Sequence, residues 1–197
     1  MESNVKEAED DARDRDAALL GRVAAGERAA FDALHRAHYR SVVRLATGIV
    51  GSTEEARDVA QDVFVALLRV APQWQPDARV STWLRRTTFN VSMTTRRRVA
   101  RWWRRATPTG AAPVGPERAT ALADLAMEVG ACLDQLSPRQ RATVTLHLDE
   151  GLTPAEIAET LGMTPNAARL ALSKGLRALR AEKGEAVREL GTEGAGR

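Results

Sequence analysis

Residues 136–180 read LSPRQRATVTLHLDEGLTPAEIAETLGMTPNAARLALSKGLRALR, and this stretch decides the fold of the second half of the chain. Ser137, Thr153 and Thr164 each precede a proline. A hydroxyl N-cap followed by proline at the first helical position marks a helix start. Gly162 lies between the second and third predicted helices, where a tight turn needs a positive φ. The pattern predicts three short helices, the last two of which form a helix-turn-helix.

The last predicted helix has two faces of different chemistry. Ala168, Leu172 and Leu176 recur at helical spacing, which predicts a buried face. The other face is polar and suited to phosphates and base edges in a DNA major groove. Its candidate DNA-binding residues are Thr164, Asn166, Arg169, Ser173, Lys174 and Arg177. A helical packing unit without a DNA function would share the caps and the leucines, so the motif by itself favours DNA binding and leaves the other interpretation open.

The first half of the chain contains a helix with a polar strip. Ser52 and Glu55 predict a capping box, and apolar residues from position 56 to Leu68 predict the buried side of the helix that follows. Asp58, Gln61 and Asp62 lie on the opposite face. The strip by itself is compatible with ordinary solvation. His35 and His38, on the preceding predicted helix, lack further neighbouring ligands, so we interpret them as structural residues.

A basic helix follows the polar strip. Ser81 is predicted to cap it, and Trp83, Leu84, Thr87 and Val91 are predicted to point inward. The other face carries Arg86, Asn90, Met93, Arg97 and Arg101 at spacings of three or four. Residues 94–105, TTRRRVARWWRR, then combine six arginines with two tryptophans and no acid. Such a block indicates either a solvated face or phosphate binding. For Trp102 and Trp103 we favour packing of the helix end over base stacking.

Composition predicts an all-α fold. Of the 197 residues, 44% are hydrophobic and only 4% aromatic, and runs of β-branched residues are scarce. Pro108, Gly110, Pro113, Gly115 and Pro116 predict a flexible linker between two small helical domains. The predicted boundaries are an acidic tail at 1–14, a first domain at 15–104, the linker at 105–120, a helix-turn-helix domain at 121–183 and a tail at 184–197.

Several classes of function are disfavoured by the sequence. One cysteine, Cys132, allows neither an internal disulfide nor a cysteine-based zinc site. No window approaches the length of an apolar membrane span, so we expect a cytoplasmic protein without membrane insertion. No nucleophile with a base, carboxylate constellation or phosphate loop emerges, so we expect no enzyme activity and no cofactor.

Charge is distributed unevenly along the sequence: residues 1–16 hold seven acids and three bases, whereas residues 84–105 hold eight arginines and no acid. A basic block of this kind is typical of a nucleic-acid surface.

Three segments together resemble a known family, the extracytoplasmic-function (ECF) sigma factors of bacteria. EEARDVAQDVFVALLR at 54–69 resembles the family's core-polymerase-binding segment. STWLRRTTFNVSMTTRRR at 81–98 resembles the segment that faces the −10 promoter element. The first thirty residues of the helix-turn-helix stretch, 136–165, resemble the start of its domain for the −35 element. Their order around a linker matches the family, whereas unrelated helix-turn-helix regulators lack the first two segments.

The resemblance implies a role for each surface. Asp58, Gln61 and Asp62 would dock on the clamp helices of the polymerase β′ subunit, and the β subunit would be a second contact. The basic helix would face the nontemplate strand of the −10 element, where Asn90 and Arg86 are the best candidates for contacts with an unstacked base. The full candidate set there is Arg85, Arg86, Asn90, Arg96, Arg97, Arg98 and Arg101. The polar face of the last helix would bind the −35 element. Many members are held inactive by an anti-sigma protein clamped between the domains, which the linker would permit.

The last helix departs from the family pattern. Leu170 and Ala171 stand where typical members carry serine and arginine, and Leu170 is a candidate for contact with an inhibitor or with a thymine methyl group. Gly175 lowers helix stability by about 1 kcal/mol relative to alanine. Two alternative functions follow. One is a helix-turn-helix regulator that acts without polymerase, and the other is a sigma-like adaptor whose last helix serves protein contacts only.

Overall fold

The computed structural model describes residues 2–74, 79–106 and 136–193, with side chains described at 12–74, 79–99, 101 and 136–181. Within these residues there are seven α-helices and no strand, which confirms the predicted all-α fold. Contacts divide the chain into two compact units, Met1–Trp102 and Trp103–Arg197. The linker beyond residue 106, Cys132 and the side chains of Trp102 and Trp103 lie outside the described residues.

The first unit contains four helices and a short 3-10 helix. They are α1 (Glu2–Ala24), α2 (Arg28–Val50), α3 (Thr53–Val70), the 3-10 helix Ala71–Gln73 and α4 (Val80–Ala106). Residues 2–14, predicted to be an acidic tail, are therefore helical. Helix α1 packs on α2, and its residues Leu20 and Val23 are buried in the core of the unit.

Helices α2 and α3 form the centre of this unit. Gly51, at φ 82°, ends α2 in the left-handed conformation, and the Ser52 hydroxyl accepts the Glu55 N–H at 3.3 Å to start α3. Small residues at the contact, Ala46 and Ala60, are fully buried and allow the two helices to approach closely. The predicted inward position of Leu68 is wrong. Its side chain is 44% exposed because it lies just outside the buried face, which continues from Leu67 to Ala71.

Helix α4 begins before the predicted cap. The Arg79 carbonyl accepts the Trp83 N–H at 3.1 Å, so Ser81 lies inside the first turn and is not the N-cap. The buried residue Val80 already belongs to the helix and anchors its start in the core. The buried face agrees with the prediction in part. Leu84 is buried, and Trp83 and Val91 are half-buried and pack against the core, as predicted. Thr87, predicted inward, is only half-buried, and the buried residues Thr88, Phe89 and Ser92 were not predicted.

Thr88 shows why the pattern of apolar residues did not predict the whole buried face of α4. Its hydroxyl donates to the Leu84 carbonyl at 2.7 Å, which satisfies the polar group inside the core. A threonine bonded in this way contributes its methyl group to packing like an apolar residue. An apolar/polar count does not detect this local hydrogen bond and therefore does not predict Thr88 as a core residue.

The second unit contains α5 (Pro138–Glu150), α6 (Pro154–Leu161) and α7 (Pro165–Glu193). All three predicted N-caps are confirmed. Ser137 and Thr153 form capping boxes with Gln140 and Glu156, and the Thr164 hydroxyl accepts the Ala167 N–H at 3.2 Å. Helix α7 continues to Glu193, so residues 184–193 of the predicted tail are helical.

The turn between α6 and α7 has the predicted geometry. Gly162 adopts φ 61°, and the Met163 N–H bonds to the Ala158 carbonyl at 2.9 Å. Ile157, Leu161 and Ala168 are buried where the two helices meet. The helix-turn-helix is therefore present, with α7 as its second helix.

Candidate nucleic-acid interface

The polar strip of α3 is exposed along its length. Asp58, Gln61 and Asp62 all lie on the solvent side of the helix, opposite the buried Val59 and Val63. This confirms the predicted orientation of the strip, whereas its partner stays a prediction.

The strip adjoins two exposed apolar side chains. Val65, one turn after Asp62, is 37% exposed, and Leu68 is 44% exposed. The sequence reading missed this apolar extension because periodicity assigned Leu68 to the core. Two carboxylates and two exposed aliphatic side chains therefore lie along one side of α3.

The exposed face of α4 is cationic. Arg86, Asn90, Arg97, Arg98 and Arg101 are all exposed, and no acid occurs in the helix. This group of five is called the α4 cationic face below. Its guanidinium groups can bind phosphates, and the Asn90 amide offers both a donor and an acceptor to a base edge.

Two arginines of the predicted DNA-binding set, Arg85 and Arg96, are half-buried, whereas the others described are exposed. Arg96 is half-buried, and its Nη1 donates to the Ile49 carbonyl at 3.2 Å. Ile49 lies in the last turn of α2, where carbonyls lack helical partners, so Arg96 binds a group that would otherwise lose its hydrogen bond. Arg85 is also half-buried. The sequence could not separate Arg96 from the other arginines because its contact joins residues 47 positions apart.

The second helix of the helix-turn-helix presents its predicted polar residues to solvent. Asn166, Arg169, Ser173, Lys174 and Arg177 are all exposed. Thr164 is exposed as well, although its hydroxyl is engaged as the N-cap of α7. The face also carries Leu170, whose side chain is 56% exposed. No acid occurs between residues 165 and 181.

The two histidines pack inside the first unit. The His38 Nε2 lies 2.8 Å from the Asp16 Oδ2, which joins α1 to α2. The His35 ring stacks on Tyr39 and contacts Phe64, with centroid distances of 4.8 and 4.5 Å. Among the described residues, no group of three or more potential ligands could hold a metal ion. The same residues include no helix long and apolar enough to cross a membrane.

Family models match both halves of the chain. Sigma-70 region 2 matches residues 34–107, which include the polar strip and the α4 cationic face, and Sigma-70, region 4, matches residues 126–179. The ECF RNA polymerase sigma factor SigM of Mycobacterium tuberculosis is 36% identical over 152 residues, which cover 75% of this chain and 74% of SigM. The chain belongs to the ECF sigma factors. A further ECF sigma factor, SigE of Mycolicibacterium smegmatis, is 33% identical over 165 residues, which cover 80% of this chain and 64% of SigE.

Two solved structures share the fold. CnrH, in complex with the cytosolic domain of CnrY, matches with a TM-score of 0.65 at 24% identity, covering 85% of this chain and 96% of CnrH. The sigma factor RpoE of Bartonella quintana, in complex with the anti-sigma factor NepR, matches with a TM-score of 0.66 at 16% identity, covering 78% and 96%. The protein is thus an RNA polymerase sigma factor that acts in transcription initiation. A helix-turn-helix regulator without polymerase binding is not favoured.

Proposed function

We propose that this ECF sigma factor binds the β′ clamp helices of core RNA polymerase through the exposed strip of α3. The observation that carries the proposal is the joint exposure of Asp58, Gln61 and Asp62 beside Val65 and Leu68. The carboxylates would pair with basic residues of the clamp, while the aliphatic side chains would be removed from water on binding. Nucleotide addition would be catalysed by the polymerase. Binding to core polymerase would require the sigma factor to be in the cytoplasm.

A charge reversal tests this interface. Asp58→Arg replaces the first carboxylate of the strip with a cation, which would repel a basic partner, so we expect at least about a tenfold loss of affinity for core polymerase. Asp14→Arg is the matched control, because Asp14 is exposed on α1 and the substitution changes the net charge equally. Binding is measured by titrating labelled full-length protein with core polymerase. Equal affinities of the two variants would remove α3 from the interface.

The α4 cationic face is proposed to bind the −10 element. Asn90 and Arg86 are the candidates for contacts with an unstacked nontemplate base, and Arg97, Arg98 and Arg101 for phosphate contacts along the backbone. Holding a base out of the stack costs a few kcal/mol, which pocket contacts and phosphate neutralisation offset. In this proposal Arg96 stabilises the fold through Ile49 and does not bind DNA directly.

Helix α7 is proposed to bind the −35 element in the major groove. Its exposed side chains include the bases Arg169, Lys174 and Arg177 and the amide of Asn166. These groups can bind phosphates and base edges. The β subunit of polymerase is proposed as a further contact of the protein. An anti-sigma protein is proposed as a regulator, because a solved protein of the same fold, RpoE of Bartonella quintana, is bound to such a partner.

A further inference from the structure

Leu170 is an exposed leucine on a helix face that is otherwise polar. Its side chain is 56% exposed. Asn166 precedes it by one turn, Ser173 and Lys174 follow by one turn, and all three are exposed. Single exposed leucines are common on protein surfaces, and Leu148 is equally exposed at 58%, so the residues around Leu170 decide what it can contact. Here they are polar and basic, and Leu170 is the exposed leucine among them.

The surrounding charge selects the kind of partner. Arg169, Lys174 and Arg177 are exposed on the same side of α7, and no acid lies between residues 165 and 181. A surface with cations and no carboxylate complements a polyanion such as DNA. The second helix of a helix-turn-helix enters the major groove, so an apolar side chain on this face meets base edges there.

Only one base offers an apolar group in the major groove. Thymine carries a C5-methyl there, whereas the edges of the other three bases present polar groups. We propose that Leu170 contacts a thymine methyl in the upstream promoter element and thereby makes this sigma factor prefer thymine at one position. The inference rests on the proposed function of α7 and adds a specificity-determining residue to it.

Deoxyuridine provides the test, because it pairs like thymidine and lacks only the methyl group. The full-length protein, assembled with core polymerase, selects binding sites from one randomised duplex library made with thymidine and from the same library made with deoxyuridine. We expect one upstream position at which thymine is selected and uracil is not. Replacing that single thymine in a selected site should weaken binding about fourfold, the size expected for one buried methyl group.

Two variants separate this contact from general effects of the methyl group on DNA. Leu170→Ser should lose the thymine preference in the first library. Leu148→Ser is the matched control, because Leu148 on α5 is 58% exposed and undergoes the same substitution. The control should select the same sites as the wild type. Circular dichroism of both variants checks that they remain folded.

The outcomes are distinguishable. Identical selected sites from the two libraries, or an unchanged thymine preference in Leu170→Ser, would overturn the inference. Leu170 would then be a candidate for contact with a protein partner. A wild-type selection that enriches no upstream element, whether or not it enriches a −10 element, would instead contradict the proposed function of α7, and the inference with it.

Discussion

Gly175 lies where α7 packs against α5, and its replacement by alanine should destabilise the second unit. A Cβ added at Gly175 would lie 2.2 Å from the Val144 Cγ2. Ordinary carbon contacts are about 3.5–4.0 Å, so one of the two helices would have to move by more than an ångström. Val144 is 3% exposed and β-branched, so its side chain cannot easily rotate away.

The magnitude follows from two opposing effects. In an exposed helix, glycine to alanine stabilises by about 1 kcal/mol. Overpacking a buried contact costs about 1–3 kcal/mol. We therefore expect Gly175→Ala to lower the free energy of unfolding by about 1 kcal/mol. The sequence argument, based on propensity, would give the opposite sign.

A double-mutant cycle isolates the contact. Val144→Ala removes the clashing methyl group and costs about 1.6 kcal/mol for the two buried methyls, before any cavity effect. In that background Gly175→Ala should become neutral or stabilising, which gives a coupling of about 1–2 kcal/mol. Amide hydrogen exchange of α5 and α7 is the assay, because two units need not unfold together and exchange reports on each separately.

Gly21→Ala is the control for propensity alone. Gly21 is exposed in α1, and nothing lies within 4 Å of an added Cβ. This variant should be more stable than the wild type by up to about 1 kcal/mol. If Gly175→Ala stabilised the protein as much as Gly21→Ala does, with no coupling to Val144, the reasoning from helix packing would be refuted.

Three further substitutions test which residues of the first unit bind partners and which stabilise its fold. Arg97→Ala should lower the salt slope of promoter binding by about 1 and change stability by less than about 0.5 kcal/mol; an unchanged slope would place Arg97 away from phosphate. Arg96→Ala should instead cost about 1–2 kcal/mol of stability, because the Ile49 carbonyl loses its donor; full stability in chemical denaturation would contradict the assigned contact. Leu68→Ser should leave the unfolding midpoint unchanged and weaken core polymerase binding severalfold, since the side chain is already 44% exposed; a large drop in the midpoint would show that Leu68 belongs to the core.

Local signals allowed the helix-turn-helix to be predicted from the sequence. Ser137, Thr153 and Thr164 cap helices through hydrogen bonds to residues three positions away, and Gly162 adopts its positive φ within one turn. Each of these interactions is complete within a few residues. The sequence therefore contained both partners, and the predicted starts of α5, α6 and α7 are confirmed.

Tertiary contacts explain what the sequence reading missed. Arg96 looks like its neighbours in a run of arginines, and only the fold brings it to Ile49. Helix propensity alone makes Gly175 an unfavourable residue, and only the folded unit shows that Val144 packs against it. Leu68 fits the apolar periodicity of α3 but lies just outside the face that the core covers. Each case depends on a partner far away in the chain or on how wide a face of a helix the core covers.

Transcription in vitro tests the central claim most directly, namely that the protein joins polymerase through α3 and opens promoter DNA along α4. Purified protein and core polymerase are incubated with a library of genomic fragments, and the transcription start sites are mapped. The account predicts discrete start sites that share two upstream elements, absent with core polymerase alone and lost with Asp58→Arg. Fragments that bind the protein without yielding any transcript, together with no association between the protein and core polymerase, would contradict it.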